Sequence, residues 1–87
     1  MNIRVDVYEG KSDWMLVADL PGMKAEDVHV QLNGRELSID GEGLVRRVFT
    51  VPDGVEDVTA TLTDGVLHVR MPKPVELTPR RIEVRAA

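Results

Sequence analysis

The sequence predicts an all-β domain built as a two-sheet antiparallel β-sandwich. Period-2 alternation of apolar and polar residues dominates the chain, and helical spacing is nearly absent. Gly, Pro, Asn and Asp recur at short, regular intervals between the alternating runs, as they do between hairpin-connected strands. From Pro72 the texture changes, so residues 1–71 read as the sandwich and 72–87 as an extended C-terminal tail.

In chain order, Ile3, Val5 and Val7 share one face of a first strand, interleaved with Arg4, Asp6 and Tyr8. After the polar turn at Gly10–Asp13, the nearly all-apolar run Trp14–Leu20 suits a central strand buried on both faces. Lys24–Asp27 has helical character but is too short to be more than a turn after Pro21-Gly22. Val28, Val30 and Leu32 alternate with His29 and Gln31, and Asn33-Gly34 then supplies two residues that tolerate positive φ. Leu37 and Ile39 follow. Val45, Arg47, Phe49 and Val51 form the next stripe, stopped by Pro52-Asp53-Gly54. Val58, Ala60 and Leu62 alternate with Thr59 and Thr61, and Asp64-Gly65 closes a second tight hairpin into Val66–Met71. Pro72, Pro74 and Pro79 stiffen the stem of the tail, whose eight residues from 72 to 79 span roughly 25 Å when extended. Beyond it, Arg80–Arg85 forms a small strand-like unit.

Composition narrows the function. A chain of 87 residues buries only about 60–65% of its unfolded surface, enough for one thin core. No apolar run approaches the roughly 20 residues of a membrane span, and the N-terminus lacks the layout of a signal peptide. Without cysteine there is no disulfide framework or thiolate chemistry, and a cytoplasmic setting is expected. Fifteen acidic and 11 basic residues give a net charge of −4, which disfavours nucleic acid.

Chemistry-bearing constellations are missing. His29 and His68 have no His, Cys or carboxylate at ligand spacing, so no metal or cofactor is expected. Glu26-Asp27 and Glu56-Asp57 stand at strand entries, where turn and cap roles explain them better than paired acid/base catalysis. Ser12, Ser38 and the five threonines lack a base partner. Trp14 and Phe49 read as core plugs, and Met15, Met23 and Met71 as packing residues. Enzyme is the least supported class; a binding module made of sheet edges and grooves is the best.

Several segments, in this order, resemble the α-crystallin domain of the small heat-shock proteins. They are Trp14–Gly22 ending in Asp-Leu-Pro-Gly, Leu37–Glu42, and Arg47-Val-Phe-Thr-Val-Pro52. Above all there is the signature Ala60-x-x-x-Asp64-Gly65-Val66-Leu67. The likeness continues through Met71-Pro-Lys73 to Arg80–Val84 and so covers essentially the whole chain.

The resemblance implies an immunoglobulin-like sandwich acting as an ATP-independent holdase for unfolded or aggregation-prone proteins, which also self-associates. It implies that Ile82 and Val84 dock in an apolar groove of a neighbouring subunit, between Val28, Val30 and Leu32 on one strand and Ala60 and Leu62 on another. Docking on the chain's own sandwich and a disordered tail are the other possibilities. The chain departs from the family in starting almost at its first strand, without the long apolar arm, so weak holdase action is expected. The short Gly41–Leu44 connection cannot reach a second subunit, which disfavours an exchanged-strand dimer. A dimer edge over Val45, Arg46, Arg47, Val48 and Phe49 is the alternative, unless the two arginines serve to discourage pairing. Two other readings are an adaptor whose groove accepts the tail of a longer paralogue, and a co-chaperone resembling the CS-domain proteins, which share the sandwich but lack this signature and the Ile-x-Val tail.

Overall fold

A computed structural model describes residues 3–44, 46–74 and 81–86. Seven strands form two antiparallel sheets. They are β1 (Val5–Glu9), β2 (Asp13–Asp19), β3 (Val28–Asn33), β4 (Glu36–Gly41), β5 (Arg47–Thr50), β6 (Thr59–Thr63) and β7 (Val66–Pro72). The larger sheet has the order β1-β2-β7-β6 and the smaller β3-β4-β5. A single 3₁₀ turn at Ala25–Asp27 is the one helical element among the described residues, in line with the turn read there.

Leu16, Ala18, Leu67, Val69 and Met71 of β2 and β7 face Leu37 and Ile39 of β4, and Ile3, Leu20, Val51 and Val55 close the ends. The alternation read in the sequence thus places one face of each central strand inside. β2 lies between β1 and β7 as expected of a central strand, yet only its inner face is fully covered; Met15 and Val17 are half-buried. Its apolar run therefore overstates its burial. The stripe Ile3-Val5-Val7 also fades along β1. Ile3 is buried, Val5 half-buried and Val7 exposed, because β1 is an edge strand that runs past the end of the core.

The two hairpins differ in their turns. Thr63 pairs with Val66, so Asp64 and Gly65 form the loop with φ of 51° and 76°, the type I′ pattern. In the other, Asn33 pairs with Glu36, leaving Gly34 and Arg35 as the loop. Gly34 has φ of 62° and Asn33 keeps a negative φ, so the turn sits one residue later than the Asn-Gly signal placed it. The last strand also runs further than the sequence suggested. Pro72 pairs with Asp13, and the Lys73 N–H donates to the Ser12 carbonyl at 2.8 Å. The body thus holds the chain to at least Lys73, and the expected boundary after residue 71 falls inside β7. Most of the proline stem, residues 75–79, lies outside the described residues, as do Arg80 and Val45.

One corner leads the chain out of the larger sheet toward the smaller. The Leu20 N–H donates to the Gly65 carbonyl at 2.7 Å, and the Met23 N–H returns to the Leu20 carbonyl at 3.1 Å across Pro21-Gly22. Gly22 has φ of 77°, which suits a type II turn with proline before it. A Cβ on Gly65 would stand 3.3 Å from the Pro21 Cα and 3.4 Å from the Leu20 carbonyl oxygen, in a left-handed conformation that side chains resist. Gly65→Ala is therefore expected to lower unfolding free energy by about 1–3 kcal/mol, whereas Gly34→Ala, which meets no atom within 4 Å, should cost less. Urea unfolding of both variants checks the order.

Candidate functional site: a cleft between two strand edges

β3 is an edge of the smaller sheet and β6 an edge of the larger. Between them opens a cleft of about 230 Å³ lined by Ala25, Val28, Val30, Ala60, Thr61, Leu62 and Leu67. Alternation explains the lining. Val28 and Val30 share the inward face of β3 and are half-buried, while His29 between them is exposed. Ala60 and Leu62 stand at matching positions of β6, and the small side chain at 60 leaves the opening. Leu67 forms the floor from the neighbouring strand and is buried.

Four of the five residues expected to form a groove meet here. Leu32 does not; it packs against the core further along β3. Ala25 and Thr61 line the cleft without having been singled out, Ala25 because the 3₁₀ turn carries it over one end. An apolar cleft bordered by two strands with free backbone edges is suited to an extended apolar peptide. Among the described residues, no three His, Cys, Asp or Glu side chains are grouped to hold a metal ion, and no helix is long and apolar enough to cross a membrane.

The family model of an HSP20-like domain found in ArsA matches residues 11–71. A probable 15 kDa heat shock protein of Leptospira interrogans is 35% identical over 95% of this chain and 78% of its own length. The chain belongs to the small heat-shock protein family. Spore protein SP21 of Stigmatella aurantiaca is 33% identical over 94% of this chain, which spans only 61% of that longer protein. A small heat-shock protein of Xylella fastidiosa, whose crystal structure is described as having a distinct high order structure, superposes with a TM-score of 0.79 at 33% identity. The match covers 97% of this chain and 96% of that one. The signature Ala60, Asp64, Gly65, Val66 and Leu67 of this small heat-shock domain is thus the β6–β7 hairpin. Its Gly65 carbonyl anchors the corner, and its Ala60 and Leu67 line the cleft.

The opposite side of the sandwich is also open. β1 and β5 are edge strands, and between them lies a second cleft of about 260 Å³, bordered by Val7, Trp14, Phe49, Pro52 and Met71 among others. The sequence reading missed it, taking Trp14 and Phe49 for core plugs. Both are only partly buried and sit at the margin of the core, each beneath a cation. Lys73 Nζ lies 4.9 Å from the Trp14 ring centroid and the Arg47 guanidinium 5.4 Å from that of Phe49.

The residues of the expected dimer edge divide. Val48 is exposed and Arg46 faces Asp40 at 3.9 Å, while Phe49 packs inward and Val45 is outside the described residues. Arg47 turns back onto its own domain, where Nη1 donates to the Ile3 carbonyl at 3.1 Å. Ile82 and Val84 are 84% and 92% exposed. Because Arg47 ties β5 to the start of β1 and Arg46 only touches an exposed carboxylate, Arg47→Ala should cost about 1–2 kcal/mol of stability. Arg46→Ala should change it by less than about 0.5 kcal/mol. Paired thermal melts test the difference.

Proposed function

We propose that this domain is an ATP-independent holdase without catalytic activity, working in the cytoplasm, and that the β3–β6 cleft is its binding site. The observation that carries the reading is the meeting of Val28, Val30, Ala60 and Leu62 around an open cleft at two free strand edges. Its ligands are aggregation-prone segments of other proteins and, in self-association, the Ile82-Glu83-Val84 segment of a second copy. In an extended segment Ile82 and Val84 project to one side and Glu83 to the other. Burying the two aliphatic side chains gains roughly 1.5–3 kcal/mol each. Ordering the tail opposes this by about 1–2 kcal/mol per backbone residue. The net affinity is therefore weak, on the order of 10 μM to millimolar. A weak contact leaves the cleft exchangeable between tail and client. In this reading residues from about 75 onward act as a detachable docking arm. No role with nucleic acid or membrane is proposed for a domain of net charge −4.

A second reading is favoured by the family model, which describes an HSP20-like domain carried within another protein. The same cleft then serves as an adaptor surface for the tails of longer relatives. The two readings part in one experiment. Light scattering from a heat-denaturing client should fall in molar excess of this chain, and further when Ile82→Ala/Val84→Ala vacates the cleft. Unchanged scattering at every ratio, with capture of a longer relative's tail intact, would favour the adaptor. Val30→Asp, which puts a charge in the cleft, should abolish either activity while circular dichroism stays that of a β-sandwich.

A further inference from the structure

We propose that docking of a second copy's tail in the β3–β6 cleft is steered by charge, with Arg81 and Arg85 of the tail opposite Glu26, Asp27 and Asp64 beside the cleft. This rests on the tail-docking reading above and adds to it a specific dependence on salt. The chain divides its charge unevenly. Residues 1–71 carry 13 acidic and 7 basic side chains, a net −6, whereas residues 72–87 carry 4 basic and 2 acidic, a net +2. Within the described tail, Arg81 and Arg85 flank the two aliphatic residues, one at each end.

The acids nearest the cleft are placed to meet them. Glu26 and Asp27 stand between the lining residues Ala25 and Val28, in the 3₁₀ turn at one end. Asp64 follows two residues after the lining residue Leu62, at the hairpin whose carbonyl anchors that same corner. Glu42, whose N–H donates to the Asp27 carbonyl, and Asp19, opposite Val66, add to the acids of this corner, and Lys24 brings a positive charge. None of Glu26, Asp27 and Asp64 has an ion pair among the described residues. The pairs that occur use Asp6, Asp53, Asp40, Asp13 and Glu9; of these Asp40 stands nearest, opposite His29 of β3, and it is taken by Arg46. Arg81 and Arg85 likewise have no ion pair among the described residues. Charges left over on the body and on the tail are thus of opposite sign, and seating Ile82 and Val84 brings them together. Such exposed pairs are screened within about 10 Å at 0.1 M salt, so the contact weakens as ionic strength rises.

The test uses a fluorescein-labelled peptide of residues 80–87 and the full chain carrying Ile82→Ala and Val84→Ala, whose own tail no longer competes. Anisotropy should show binding that weakens roughly three- to tenfold from about 25 mM to about 300 mM NaCl. A peptide with Arg81→Gln and Arg85→Gln should bind at low salt as the unaltered peptide does at high salt. Glu26→Gln/Asp27→Asn/Asp64→Asn in the chain should remove the same factor, and Asp6→Asn/Glu9→Gln, equal charges at the far edge, should not. Affinity indifferent to salt and to both arginines overturns the charge steering but leaves docking in place, provided a peptide with Ile82→Ala and Val84→Ala fails to bind. An equal effect from the far-edge acids also overturns it, assigning the salt dependence to overall charge. Absence of binding by any peptide up to about 1 mM defeats the docking reading itself.

Discussion

The hydrogen bond from the Leu20 N–H to the Gly65 carbonyl is the constraint from which the binding geometry follows. It ties the end of β2 to the β6–β7 hairpin just where the chain leaves the larger sheet. From that point the Pro21-Gly22 turn directs the backbone through the 3₁₀ turn into β3 of the smaller sheet. The bond extends the β2–β7 register by one step, and the chain that leaves it through Pro21-Gly22 crosses to β3 on the far side of the cleft from β6. Leu20 is fully buried, which excludes water from competing for its amide, and Gly65 lacks the side chain that would push the hairpin away. The two motifs Asp19-Leu-Pro-Gly22 and Asp64-Gly65 are distant in sequence but form one piece of structure.

Much of this was legible beforehand because the signals are local. Alternation gave the strands, and the Gly, Pro and Asp positions gave the turns; both depend only on near neighbours. The groove residues came from the family resemblance rather than from alternation, and of them Leu32 stands apart from the cleft lining. What escaped was decided by partners far along the chain. Asn33-Gly34 and Gly34-Arg35 are both acceptable turn pairs, and the register of β3 on β4, with Leu32 opposite Leu37, selects the second. Val7 has the right period for the core yet lies on an edge that the other sheet does not reach. Nor does periodicity foretell that Arg47 bonds Ile3, 44 residues away, or that Lys73 covers Trp14.

Free strand edges invite unwanted pairing, and among the described residues this sandwich has four of them. The two open seams answer the problem differently. At the β1–β5 side the charges are already engaged. Lys73 lies over Trp14 and pairs with Glu9 at 2.8 Å, Arg70 meets Asp13 at 2.7 Å, and Arg47 spans from β5 to Ile3. A newcomer at that seam must displace contacts the domain makes with itself, and desolvate cations already placed over rings.

The β3–β6 seam carries no such closure. Its apolar lining is shallow, small at Ala60, and bordered by carboxylates that have found no cation among the described residues. Burying an aliphatic side chain there removes apolar surface from water on both partners and breaks no existing ion pair. For the proposed ligands affinity would stay low, because the segment that enters must be ordered first and no large aromatic anchor is offered to offset that cost. Selectivity comes instead from the backbone edges, which demand an extended ligand, and from the alternation of β3 and β6, which demands aliphatic residues two apart. In the proposed holdase reading, a site with those demands would accept many unfolded sequences briefly, and Ile82 and Val84 of a second copy would compete for it.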